Sequence, residues 1–85
     1  MKLTELQNLA IQARMAGIVG AEVYDRLFSG VCFDELDGDL LCIQALDQDS
    51  ADGIEDEFSI HIAVISTAIL KSHVEDVLVQ PKFFQ

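Results

Sequence analysis

Residues 31–46 read VCFDELDGDLLCIQAL, and the choice between an all-α bundle and a mixed fold rests on them. Asp37-Gly38 is a hairpin signal standing between two apolar stretches. A two-residue turn there pairs Val31 with Gln44 and Phe33 with Cys42. A three-residue loop, Leu36-Asp37-Gly38, with Gly in the left-handed position, pairs Val31 with Ile43 and Phe33 with Leu41. The second register gathers Val31, Phe33, Leu41, Ile43 and Ala45 on one face. A one-residue slip would scatter them, so this register is preferred. It sets Cys32 directly opposite Cys42. It also sets Glu35 against Asp39, a like-charge pair tolerable only at a solvated hairpin end.

Upstream the pattern is helical from Leu3 to Phe28. Thr4 is placed to cap it, with Gln7 three residues on completing a capping box. One stripe reads Leu6, Leu9, Ala13, Gly17, Gly20, Tyr24 and Leu27, and is assigned to the protein's own core. Ile11, Met15, Ile18 and Glu22 form a second, offset stripe. Gly17 and Gly20 each cost about 1 kcal/mol against Ala in a helix interior, which predicts two helices or a kink near 17–20. Gly30 is read as a helix C-cap.

Downstream, residues 47–57 read DQDSADGIEDE and hold six of the chain's 15 acidic residues. No Lys or Arg occurs between Arg26 and Lys71. Asp47, Asp49, Asp52, Glu55, Asp56 and Glu57 are read as a solvated acidic loop. Residues 58–80 fit two patterns. Phe58, Ile60, Ile62 and Val64 alternate as a strand would, while Ile62, Ile65, Ile69, Val74, Val77 and Leu78 recur as a helix would. Length favours a helix, stopped by Pro81, over a strand at 58–65 followed by a short helix. The expected fold is α+β in one small acidic domain spanning 1–85. It has an N-terminal helical segment, a central β-hairpin, an acidic loop and a C-terminal helix. An all-α helical bundle is the alternative.

Composition narrows the function. Five basic against 15 acidic residues leave a net charge of −10, which argues against direct nucleic-acid binding and against docking on anionic membranes. The longest weakly polar run, Phe58 to Leu70, is too short to span a bilayer, for which about 20 apolar residues are needed. No secretory signal is read at the N-terminus, since Glu5 and Arg14 interrupt the apolar run. The two cysteines are expected as reduced thiols in a cytoplasmic protein. Cys32, Cys42, His61 and His73 lack zinc-ligand spacing. Asp47, Asp49, Asp52 and Glu55 miss the order of a calcium loop, in which Gly53 stands one position late and Phe58 replaces the closing Glu. No phosphate loop is present and no local group activates a thiol. Neither a catalytic residue, nor a metal, nor a cofactor is therefore expected.

What remains is a small non-catalytic interaction or regulatory protein. Ile11, Met15 and Ile18, with no assigned place in the core, form the expected interface together with Phe83 and Phe84 near the tail. The partner is a second copy in a homodimer, or another protein. Two alternatives are an acidic inhibitor that imitates nucleic acid in the basic groove of a nucleic-acid enzyme, and a divalent-cation-binding module.

Overall fold

A computed structural model describes residues 1–82. The fold is α+β, with helices packed on one face of a three-stranded sheet. Helix α1 spans Glu5–Val19 and opens as its residues dictate. The Thr4 side chain accepts from the Gln7 N–H at 3.1 Å, and the Gln7 side chain accepts from the Thr4 N–H at 2.9 Å. It stops at Gly20, whose φ of 86° no ordinary side chain adopts easily. The short helix α2, Ala21–Val23, runs into a π-helical turn, Tyr24–Phe28. Ser29 and Gly30 (φ 78°) end the segment.

Strands β1, Cys32–Asp37, and β2, Leu40–Ala45, form the hairpin, but in neither register read from the sequence. Asp37 pairs with Leu40, so the turn residues are Gly38 and Asp39. Gly38 takes φ 64° at the first turn position, the place at which a type II′ turn requires Gly. A bulge between Phe33 and Glu35 then shifts the parity of β1. Phe33 and Leu36, three residues apart, both reach the core because of it. Phe33 pairs with Ile43 and Leu36 with Leu41, while Glu35 faces Cys42 instead of Asp39. Cys32 pairs with Gln44. The two cysteines are therefore not opposite each other, though both lie on the face turned away from the core and both are free thiols. Burial first, then Glu35, Asp37 and Asp34, pushes the Cys42 thiol above its ordinary pKa, which leaves it a poor nucleophile.

The acidic stretch is a helix. Helix α3 spans Gln48–Leu70, and Asp47 caps it by accepting from the Ser50 N–H at 2.8 Å. Ser50, Ala51, Ile54, Ile62, Ile65, Ser66 and Leu70 are buried at helical spacing, so this apolar stripe carries the carboxylates along on the outside. Negative charge in the first turn also suits the helix dipole. Gly53 lets α3 approach the π-helical turn: a Cβ there would stand 2.9 Å from Leu27 Cδ2. The helix ends ten residues before Pro81, at Lys71 in the left-handed conformation (φ 54°). Residues 76–81 are a third strand, β3, parallel to β2, so Val77 and Val79 belong to a sheet and not to a C-terminal helix. Alternation decides it, since Val77, Val79 and Pro81 point inward while Asp76, Leu78 and Gln80 point out.

The strand order is β1-β2-β3, and outward backbone groups on both edge strands are engaged. Along β1, Lys2 bridges to Glu35, Leu3 N–H donates to Asp34 O, and Leu36 N–H donates to Met1 O. Asn8 Oδ1 accepts from Phe33 N–H at 2.8 Å, and Gln12 Nε2 donates to Val31 O at 3.3 Å, tying α1 to the same edge. Along β3, Val77 N–H donates to Asp76 Oδ1 at 2.8 Å and Val79 N–H to Glu55 Oε2 at 3.2 Å. Pro81 has no N–H to offer.

Ile11 and Met15 are wholly buried in the core with Phe28, Phe33, Leu41, Ile43, Ile54 and Ile62. The two stripes of α1 are thus exchanged relative to the sequence reading. Leu6 and Leu9 are exposed, while the stripe read as an interface holds the fold together. The reason lies in the neighbours. Tyr24 and Leu27 follow the break at Gly20, so they do not extend the Leu6/Leu9 row in space. Of the expected helix interface only Ile18 is exposed, at 50%. Phe83 and Phe84 lie outside the described residues.

Candidate interaction site

The sequence decides which part of α3 faces outward. Its core stripe runs through Ile54, Ile62, Ile65 and Leu70, with Phe58 and Ile69 packed against it. Ile60 and Val64 stand out of phase with that row, one turn apart from each other. They are 79% and 66% exposed. Their side of α3 borders an open hollow of about 430 Å³, closed on the far side by residues 73–76, which connect α3 to β3. Ile60, Ala63, Val64 and Val74 supply its apolar lining, and Ser59, Thr67, His73, Glu75 and Asp76 its polar part.

Thr67 holds the hollow in shape. Its hydroxyl donates to Ala63 O at 2.8 Å and accepts from Val74 N–H at 3.0 Å, which fixes the connecting segment against the helix. Both capacities of the hydroxyl are then used. Ser59 donates to Glu55 O. His73 Nε2 lies 2.7 Å from Glu75 Oε2, an exposed pair. Among these described residues, neither hydroxyl is hydrogen-bonded to a His or carboxylate side chain.

The acidic residues are dispersed by the helix. Asp49, Asp52, Glu55, Asp56 and Glu57 are exposed along α3, with Asp47 at its cap. Asp52 accepts from Gln48 Nε2 at 2.8 Å, and Glu55 is engaged with β3. The four carboxylates considered for a cation, Asp47, Asp49, Asp52 and Glu55, do not converge. Among the described residues no group of three or more His, Cys, Asp and Glu is placed to hold a metal ion. Ser50 holds the Asp47 carboxyl below the usual carboxylate range through its backbone N–H and its hydroxyl.

Apolar side chains are also exposed elsewhere among the described residues. On α1, Leu6 (77% exposed) and Leu9 face outward, with Ile18 exposed on a different side of the helix. On the outer side of the sheet, Leu78 stands beside Cys42 in the neighbouring strand. His61 is exposed beside Phe58, at the end of an aromatic row formed with Tyr24 and Phe28. Burial, then Asp25, raises the Tyr24 phenol, whose hydroxyl donates to Gln12 Oε1 at 3.3 Å. The sequence reading missed Ile60 and Val64 because most of the 58–70 run is apolar. Their phase against Ile54, Ile62 and Ile65 was the available signal. No helix among the described residues is long and apolar enough to cross a membrane. Comparison with protein-family models, with curated proteins and with solved structures finds no match for the chain.

Proposed function

We propose that this chain is a non-catalytic protein–protein interaction module that docks through the outer face of α3. The observation carrying this reading is the exposure of Ile60 and Val64 beside the hollow they share with Val74. Single exposed apolar residues are ordinary on protein surfaces. Two β-branched residues one turn apart on the rim of an apolar hollow form a contiguous patch, which points to a contact site. The fold has no need of them, since the core stripe of α3 is complete without either.

Photo-crosslinking in the native host tests the reading. A photoreactive residue at position 64 should give a discrete adduct that Ile60→Lys abolishes. Adducts formed only from positions 6 or 78, with none from 64, would refute it. A second reading, self-association, is favoured by Leu6 and Leu9, exposed one turn apart on α1. It carries a like-charge penalty of −10 on each copy, so a dimer of this kind tightens with added salt. Sedimentation equilibrium with Leu6→Lys reads it directly.

A further inference from the structure

We infer that the hollow between α3 and residues 73–76 receives a basic amphipathic helix of a partner protein. Its apolar side chains would rest on Ile60, Ala63, Val64 and Val74, and its Lys or Arg side chains on Glu55, Glu75 and Asp76. This inference rests on the α3 reading above and adds the class of occupant.

Charge is the first argument. Glu75 and Asp76 line the hollow, and Glu55 stands one turn before Ser59 on the same helix. The last turn of α3 carries no basic residue, so the negative end of its dipole is uncompensated from within that turn. Lys71 follows at the C-cap and His73 is held by Glu75, which leaves the surroundings acidic on balance. A second copy would bring a further charge of −10 against this rim. A cationic partner gains from the same field in both rate and affinity.

The backbone is the second argument. An extended peptide beside β3 would need that strand's outward N–H groups. Val77 N–H is already taken by Asp76 and Val79 N–H by Glu55, and Pro81 has none. Strand addition would have to break both bonds and strand two carboxylates. A helix satisfies its own backbone and needs only an apolar seat for side chains at i and i+4, which is what Ile60 and Val64 present along one side of α3.

Titration of the isotope-labelled protein with three Leu/Lys peptides of identical composition, each about five helical turns long, decides the matter. One has the order of an amphipathic helix, one alternates as a strand, and one is scrambled. The helical peptide should shift the amide signals of Ile60, Ala63, Val64 and Val74, and bind about tenfold or more tightly than the other two. Val64→Lys and Glu75→Lys should each weaken it about tenfold at unaltered melting temperature, since both positions are exposed. Equal binding of all three peptides, abolished by salt alone, would overturn the inference in favour of unspecific charge capture, the behaviour of a nucleic-acid mimic. Preference for the alternating peptide would replace the helix by a strand. Signals moving on α1 or the outer sheet face would relocate the site. Concentration-dependent shifts of the same signals without peptide would make the occupant a second copy. An adduct from position 64 with no preference for the helical peptide removes this occupant and leaves the α3 reading standing, and the absence of both removes both.

Discussion

Replacing Ser66 by Ala should make the protein more stable. Ser66 is completely buried on α3, and its hydroxyl has no hydrogen-bond partner, not even the Ile62 carbonyl one turn back. A buried hydroxyl left unpartnered forfeits about 1–3 kcal/mol of hydration. Ala also favours the helix by roughly 0.5 kcal/mol over Ser. Against this stands a void where the oxygen was, about 15 Å³, which costs about 0.4 kcal/mol at the usual price per unit volume. The net gain is about 1–3 kcal/mol, because the hydration term dominates. For a domain of this size each kcal/mol raises Tm by roughly 4–8 °C. Urea and thermal unfolding followed by circular dichroism measure it, with an unchanged m-value confirming that the same surface is exposed on unfolding. Equal or lower stability of Ser66→Ala would refute the reasoning, because the hydroxyl would then be bonded in solution to a group such as a buried water.

The exchange of stripes on α1 is open to a direct comparison. Met15→Lys puts an unpaired charge into a wholly buried site and should cost more than about 4 kcal/mol, whereas Ile18→Lys, half exposed, should stay within about 0.5 kcal/mol. Denaturant unfolding of the two variants reads the difference, and equal stabilities would return Met15 to the surface. Asp47→Ala should lower stability at neutral pH by removing the cap of α3. Because the folded carboxyl is held below its unfolded value, its contribution is complete above the ordinary carboxylate range and is lost as pH falls through the lowered value. The gap between Asp47→Ala and the parent should therefore close in acid; a gap that is constant or widens there would count against the cap.

Local signals carried the sequence reading where one residue decided the outcome. Thr4 with Gln7 and the break at Gly20 each follow from the backbone chemistry of a few neighbouring residues, and the structure has both. The cap read at Gly30 falls one residue earlier, at Ser29, with Gly30 just beyond it at φ 78°. The hairpin was legible as a hairpin, but its register was not. The bulge at Phe33/Glu35 lets Leu36 share a face with Phe33, an arrangement that strict alternation forbids. The acidic stretch misled because charge was weighed before phase. Asp47 as cap followed by Ala51, Ile54 and Phe58 is a helix start, whatever covers its outside. Strand β3 was hidden for a different reason. Its pairing with β2 is non-local, across the whole of α3, and nothing within Asp76–Pro81 announces a partner more than thirty residues upstream. The candidate site inherits these difficulties, since Ile60 and Val64 become surface residues only once the phase of α3 and the position of residues 73–76 are both known.

The central position of β2 also sets an order of events during synthesis. Residues 1–45 are made before α3 and contain α1 and both strands of the hairpin, but until β3 is made β2 is an edge strand. It keeps that open edge until α3 and residues 76–81 have been made and have returned to lie beside it. An unpaired strand rich in Leu and Ile is a template for pairing with other chains. The interval between translation of Ala45 and of Pro81 is thus the time in which a nascent chain is most exposed to aggregation. The acidic residues of 47–57, emerging directly behind that edge, place like charge on every neighbouring nascent chain and keep them apart.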